Sequence, residues 1–231
     1  MNFELFAPEP HANLLPYDGE VEDYGLIFNA EDSEKYLRYF LTQLAWQHDE
    51  VILHGQYYQT ERKVVWYGDA HYEYHYSGMQ KQALIWNPAL LRLKQHIEQR
   101  LGQTFNSCLA NLYENGTQAV GWHSDDEPSL LSPTQQVVIA SLSFGASRKF
   151  CFKHKSTQEK VQLLLQSGQL IVMRGKTQRY WKHALMKSMK VTEPRVNLTF
   201  RYFYERPLHK PATYSRHQSQ TQLKTGIGVK R

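Results

Sequence analysis

Between Phe105 and Phe200 short apolar runs follow one another almost without a break, separated by the turn signals Asn115-Gly116, Ser132-Pro133, Gly145, Ser167-Gly168 and Arg174-Gly175. That spacing predicts a series of short strands, and a chain built this way must stack or close its sheets. Two helices are expected ahead of the series. One starts at Asp32 or Ser33 and runs to about Trp46, with Tyr36, Leu37, Phe40, Leu41 and Leu44 on one face. The other starts at Asn87-Pro88, with the amide as cap and proline in the first turn, and stops at Gly102. Residues 1–31, with Pro8, Pro10, Pro16 and Gly19, read as an irregular lead-in, and Val51 to Tyr58 reads as a hairpin turning at Gly55. At 231 residues and 41% hydrophobic, the chain suits one domain with a full core rather than two.

Inside the strand series, Gly121-Trp122-His123-Ser124-Asp125-Asp126-Glu127-Pro128 places an imidazole and a carboxylate two residues apart. In extended backbone residues i and i+2 share a side, so His123 and Asp125 can hold one ion while Ser124 turns away. A pair leaves a metal under-coordinated, and His183 is the candidate third ligand. Two histidines and a carboxylate form the facial set that binds Fe(II) and keeps positions open for a co-substrate and oxygen. Short strands with such a triad at one mouth predict a mainly β fold with flanking helices, a double-stranded β-helix of the jelly-roll kind. The last strand adds a second signal. Alternation over Arg195-Val196-Asn197-Leu198-Thr199-Phe200-Arg201 sends Arg195, Asn197, Thr199 and Arg201 to one face. Burying guanidinium, amide and hydroxyl together is costly without an acidic ligand. Asn111 and Tyr113 alternate onto one face of an earlier strand, and Tyr72, Tyr74 and Tyr76 onto one face of another, as a stacking platform or as core.

With these segments in hand, the sequence resembles the AlkB-type oxygenases, Fe(II)- and 2-oxoglutarate-dependent enzymes that demethylate nucleic-acid bases. The similarity is strongest to the DNA-repair homologues of animals and their bacterial relatives. The matching pieces are Tyr67-Gly68-Asp69, Tyr74-His75-Tyr76-Ser77-Gly78, Asn111-Leu112-Tyr113, His123-Ser124-Asp125-Asp126-Glu127, Ala140-Ser141-Leu142-Ser143-Phe144-Gly145, His183 and the Arg195–Arg201 run, in family order within residues 50–204.

The resemblance implies that His123, Asp125 and His183 hold Fe(II), with 2-oxoglutarate and O2 as co-substrates. It implies that Asn111, Tyr113, Arg195, Asn197, Thr199 and Arg201 surround 2-oxoglutarate. Arg195 and Arg201 stand about 20 Å apart by regular strand rise. They cannot both clasp one small carboxylate, so Arg195 is expected at the distal carboxylate and Arg201 nearer the metal, against the keto-acid end or Asp125. His54, Gly55 and Gln56 fall where duplex-repair relatives carry an apolar finger, a departure that leaves single strands and RNA open. Tyr74, His75 and Tyr76 would hold the flipped base, and Asp126 would accept a hydrogen bond from the exocyclic amine of 1-methyladenine or 3-methylcytosine. Lys153, His154 and Lys155 match a basic loop that touches the nucleic-acid backbone. One catalytic domain, 1–206, is expected, with 1–86 as an N-terminal extension and nucleotide-recognition lid and 87–206 as the dioxygenase core. The tail 207–231, with Lys210, Arg216, Lys224, Lys230 and Arg231, reads as basic and disordered.

A net charge of +5 favours a polyanionic partner, here alkylated single- or double-stranded DNA, with RNA open. Cys108 and Cys151 lie in apolar runs and read as buried free thiols of a reducing compartment. The start, Met1-Asn2-Phe3-Glu4-Leu5, lacks the basic and apolar regions of a signal peptide, and no stretch has the apolar length of a membrane span. The expectation is a soluble monomer of the cytoplasm, or of the nucleus if the source is a eukaryote. Three other readings use some of the same residues. An oxygenase for proteins or small molecules leaves Tyr74, Tyr76 and Asp126 unused. A non-catalytic nucleic-acid-binding module has no need of His123, Asp125, His183, Arg195 and Arg201 together. A zinc hydrolase leaves the Arg195–Arg201 strand unexplained.

Overall fold

The computed structural model describes residues 11–53, 55–76, 79–132 and 137–204. In chain order these form β1 (Glu20–Leu26), α1 (Ala30–Gln43), β2 (Gln47–Leu53), β3 (Gln56–Gly68), β4 (Glu73–Tyr76), β5 (Met79–Gln82), β6 (Leu84–Ile85) and α2 (Pro88–Leu101). There follow β7 (Ser107–Tyr113), β8 (Val120–His123), β9 (Ile139–Gly145), β10 (Arg148–His154), β11 (Lys160–Leu165), β12 (Gln169–Arg174), α3 (Thr177–Tyr180), β13 (Trp181–Leu185) and β14 (Arg195–Arg201). Among the described residues an eight-stranded sheet is ordered β1-β12-β9-β14-β7-β3-β2, with β6 alongside β3. A four-stranded sheet is ordered β11-β10-β13-β8, and β4 pairs with β5 alone. Val21, Ile139 and Met173 of the large sheet meet Phe152 and Trp181 of the small one in a single apolar cluster. This is the mainly β, jelly-roll architecture expected.

The central strand shows why the chain folds this way. β14 pairs antiparallel with β7 and β9 in unbroken register from Arg195 to Arg201. Its even residues, Val196, Leu198 and Phe200, are fully buried beneath the helices. They meet Leu37 and Phe40 of α1, Leu44 just past its end, and Leu90, Leu93 and Ile97 of α2, with the helical residues spaced to form one stripe on each helix. Each such buried side chain contributes about 1.5–3 kcal/mol. With the apolar face committed to the helices, the odd residues turn toward the other sheet and line the space between them. At the β9–β10 turn Gly145 has φ +88, and an added Cβ would lie 2.3 Å from the Pro194 carbonyl oxygen. Only glycine fits that turn.

The local expectations need two corrections. The cap of α1 is Asn29, whose Oδ1 accepts from the Asp32 amide at 2.8 Å, and neither Asp32 nor Ser33 is the cap. The helix ends at Gln43, and Trp46 Nε1 then donates to the Phe40 carbonyl at 2.9 Å, satisfying one of its last acceptors. The lead-in is not irregular throughout, because β1 runs antiparallel to β12 and buries Val21 against Met173. The hairpin at Gly55 (φ +77) and the second helix, capped by Asn87 and stopped at Gly102 in the left-handed conformation, form where expected. The stretch 1–86, expected as extension and lid, supplies β1, β2 and β3 to the large sheet, and the β4–β5 hairpin stands apart from it. The basic tail at 207–231 and residues before 11 lie outside the described residues. Among the described residues no helix is long and apolar enough to cross a membrane.

Candidate metal and co-substrate site

β13 and β8 pair so that His183 stands directly opposite His123. Register partners share a sheet face, so both imidazoles point to the same side, with ring centroids 4.2 Å apart. Phe152 is the partner of His183 on the next strand, and Phe150 stacks on its ring at 5.4 Å. This burial, helped by His123 and Arg201 and opposed by Asp125, pushes the His183 pKa down to about 3. The ring is therefore neutral at physiological pH and offers the lone pair a metal requires. His123 Nδ1 lies 2.8 Å from the Gly121 carbonyl oxygen. An oxygen there can only accept, so Nδ1 carries the proton and Nε2 keeps the lone pair. One ligand atom from each of His123, Asp125 and His183 lies within 4.8 Å of the others. Two imidazoles and a carboxylate suit a divalent transition metal such as Fe(II).

The third ligand is set by contacts that need no ion. The Asp125 amide donates to Gln178 Oε1 at 2.9 Å, and Ser124 Oγ donates to the Trp181 carbonyl at 3.0 Å. The loop after β8 is thereby fixed to α3 and β13, with Ser124 turned away from the ligands. Gln178 carries no periodic or motif signal, and the sequence reading assigned it nothing. Arg201 Nη2 lies 3.8 Å from Asp125 Oδ2. Burial raises the Asp125 pKa, but Arg201 first, then His183, His123 and Arg62, outweigh it and hold the carboxyl below its ordinary range.

At the other end of β14, Arg195 is 1% exposed. Its Nη2 donates to Ser143 Oγ at 2.5 Å, and its Nη1 donates to the carbonyls of Ala146 and Leu165 at 3.0 and 3.2 Å. No carboxylate pairs with it among the described residues, and its Nε–H has no partner there. Burial, opposed by Tyr113 and helped by Arg148, pulls its pKa down to about 10. It remains a cation, and an acidic ligand would complete it. Tyr113 is its register partner on β7, and Asn111 is the partner of Asn197. Asn197 Nδ2 donates to Ser141 Oγ at 2.9 Å, and Thr199 Oγ1 donates to Asn197 Oδ1 at 3.1 Å. Arg62, which the sequence reading also passed over, donates to Asn111 Oδ1 at 2.8 Å.

A cavity of about 870 Å³ opens beside His123 and Asp125, and is also reached by Arg201, Trp122, Arg62 and Lys81. The expected base-contacting residues are distributed around it unevenly. The backbone of Tyr74, His75 and Tyr76 forms β4, and their side chains lie outside the described part of the structure, as does His54. Gly55 forms the hairpin turn, and Gln56 Oε1 accepts from the Tyr58 hydroxyl at 2.7 Å. Asp126 is exposed and 3.3 Å from Lys155 Nζ, outside the cavity lining, whereas Glu127 lines the cavity. The Lys153-His154-Lys155 loop needs correction. His154 is buried against Trp181 at 5.0 Å, Lys153 lies over the Trp122 ring at 4.8 Å, and Lys155 also donates to the Gln178 carbonyl. A histidine that packs with a core tryptophan is not free to meet a phosphate.

The profile of the 2OG-Fe(II) oxygenase superfamily matches residues 25–201. The chain is 38% identical to human "Alpha-ketoglutarate-dependent dioxygenase alkB homolog 3" over 197 residues, covering 81% of this chain and 68% of that protein. It is 37% identical to mouse "DNA oxidative demethylase ALKBH2" over 207 residues, covering 83% and 84%. With bovine alkB homolog 3 it shares 43% identity, but over only 54% of that protein's length. Among solved structures, "The structure of OsALKBH1" superposes with a TM-score of 0.52 at 16% identity, covering 81% of this chain and 99% of that one, a likeness of fold alone. A profile that crosses nearly the whole of the main sheet, met by a triad and an unpaired arginine of matching chemistry, establishes that this chain belongs to the 2OG-Fe(II) oxygenase superfamily, as an Fe(II)- and 2-oxoglutarate-dependent dioxygenase.

Proposed function

We propose that the chain oxidatively demethylates N-alkylated bases, 1-methyladenine and 3-methylcytosine, in DNA whose damaged base is unpaired, releasing formaldehyde, succinate and carbon dioxide. The observation that carries this reading is the cavity of about 870 Å³ that His123 and Asp125 of the triad line. Sites of roughly 300–1,000 Å³ enclose ligands of nucleotide size. Trp66 and Trp122 are among its lining residues, aromatic side chains of the kind on which bases stack. The mouse relative is named as a DNA oxidative demethylase.

His123, Asp125 and His183 would hold the iron, and Arg195 the distal carboxylate of 2-oxoglutarate, flanked by Asn111, Tyr113, Asn197 and Thr199. When bound, iron, 2-oxoglutarate and oxygen supply the oxidation that turns an N-methyl group into one lost as formaldehyde. The chain's own residues orient the ligands and exclude water. His123 keeps its proton on Nδ1 through Gly121, Gln178 sets the Asp125 loop, and Arg201 balances the Asp125 charge. Tyr74, His75 and Tyr76 would receive the base once it leaves its stack, a step costing a few kcal/mol that an unpaired lesion lowers. The His54-Gly55-Gln56 tip offers no apolar wedge, which favours single strands over duplex. The acting unit is one monomeric domain, 1–206, with the β4–β5 hairpin as its lid.

The test is mass spectrometry of a single-stranded DNA oligonucleotide carrying one 1-methyladenine, incubated with the protein, Fe(II), 2-oxoglutarate and oxygen. Methyl loss that requires 2-oxoglutarate and disappears in His123→Ala is the expected result. Continued 2-oxoglutarate consumption without methyl loss moves the substrate to RNA or protein. Asp126 is the residue expected to accept a hydrogen bond from the exocyclic amine of these two bases, and to do so it must exchange its contact with Lys155 and turn toward the cavity. Asp126→Ala is expected to lower the rate on 1-methyladenine about tenfold or more, within the 1–3 kcal/mol of a lost base contact. A methylated base without an amine should be affected less. Equal loss on both assigns the reading of the amine to Glu127.

A further inference from the structure

We propose that Asp49 is a positioning residue, a single carboxylate that joins the β4–β5 hairpin to Asn111, one of the residues assigned to the co-substrate. β2 and β3 pair Gln47 with Val64 and His48 with Lys63, and beyond that point the register shifts. The shift falls between His48 and Glu50, so Asp49 sits in the irregularity itself. Bulges of this kind re-aim side chains beside functional sites. Asp49 is 8% exposed and divides its two oxygens between two cations. Oδ2 accepts from Arg62 Nη2 at 2.5 Å, and Oδ1 accepts from Lys81 Nζ at 2.5 Å.

The two cations belong to different parts of the molecule. Lys81 sits on β5 of the hairpin, and its backbone partner is Tyr74. Arg62 belongs to the large sheet, and its other nitrogen donates to Asn111 Oδ1 at 2.8 Å. All three of Asp49, Arg62 and Lys81 line the cavity. One chain of contacts thus runs from the strand that carries Tyr74, through Lys81, Asp49 and Arg62, to Asn111. Neither cation has another carboxylate among the described ion pairs, so loss of Asp49 frees both arms together. The consequence for base handling rests on the demethylase reading above; the tie itself does not.

Three variants separate the arms. Asp49→Asn keeps the shape and removes the charge, Lys81→Met frees only the hairpin, and Arg62→Met frees only Asn111. The first readout is backbone hydrogen exchange of the protein without iron, co-substrate or DNA. Asp49→Asn and Lys81→Met are expected to speed exchange in β4–β5 about tenfold, with β14 and α2 unchanged, and Arg62→Met is expected to leave the hairpin protected. The second readout is kinetic, on the 1-methyladenine oligonucleotide. Asp49→Asn and Lys81→Met should raise the KM for DNA about tenfold while kcat falls less than about twofold, the signature of lost uniform binding. Only Asp49→Asn and Arg62→Met should raise the KM for 2-oxoglutarate. A hairpin equally protected in wild type and Asp49→Asn overturns the proposal, as does an Asp49→Asn effect confined to one arm. An inactive wild-type chain whose hairpin still loosens in Asp49→Asn overturns the demethylase reading and leaves the tie standing.

Discussion

Asp125→Asn is expected to yield a folded protein that holds no iron. The amide keeps the size of the carboxylate and leaves the backbone N–H of residue 125 bonded to Gln178 Oε1. It removes the negative charge that a divalent ion needs beside two neutral imidazoles, and it leaves Arg201 without the oxygen now 3.8 Å from its Nη2. Loss of groups that only orient metal ligands costs about 10–100-fold in affinity or activity. A ligand itself should cost more than the upper end of that range. Metal analysis after anaerobic Fe(II) loading, beside circular dichroism, checks both halves. Stoichiometric iron in Asp125→Asn would remove Asp125 from the ligand set.

The same site sets an acid limit on the metal-free protein. His183 falls from its ordinary 6.5 to about 3 in the fold. The folded state favours the neutral ring, so its contribution is complete above 6.5 and is lost as pH falls toward 3. Asp125, held below its ordinary 3.8, keeps its contribution until the pH drops past that value. Between these limits wild type should lose up to about 1.4 kcal/mol per pH unit for the one proton involved. Urea unfolding from pH 7 to 4.5 should show that slope, and His183→Gln should flatten it.

What the sequence made legible follows from what leaves a pattern. The β14 strand was readable because seven residues alternate without exception between apolar and polar, and both faces proved committed, one to helices and one to buried hydrogen bonds and the metal site. The His123–Asp125 pair was readable because extended backbone puts both on one side. His183 came from elsewhere in the chain, and only the pairing of β13 with β8 brings it opposite His123. Arg62, Asp49 and Gln178 left no trace. Each is an ordinary polar residue until a register shift or a short turn aims it inward, and neither event has a period. β1 was hidden for another reason: it is an edge strand of mixed exposure behind a run of prolines, and tertiary pairing with β12 overrides that local signal. His154 misled because charge in a sequence says nothing of burial, and Trp181 and Tyr17 enclose it.

Arg195→Met is expected to weaken 2-oxoglutarate binding by about 2–5 kcal/mol, the usual cost of truncating one partner of a buried charge pair. That is about thirtyfold to several thousandfold in dissociation constant. The effect on the free protein should be far smaller. Methionine forfeits the bonds to Ser143, Ala146 and Leu165, but it also removes a buried cation with no acid beside it among the described residues. These two changes oppose each other, as replacements of buried charge by apolar side chains often do. The discriminating measurement is thermal: saturating 2-oxoglutarate at about 100 times its Kd stabilises a folded state by about 2.7 kcal/mol. Wild type should show that shift in melting temperature, and Arg195→Met at the same concentration should not. Arg195→Lys should fall between them, because an ammonium restores charge without the fork that grips both oxygens of a carboxylate. Arg201→Met should act differently, lowering iron content through Asp125. A ligand-induced shift kept in Arg195→Met and lost in Arg201→Met would exchange the roles of the two arginines.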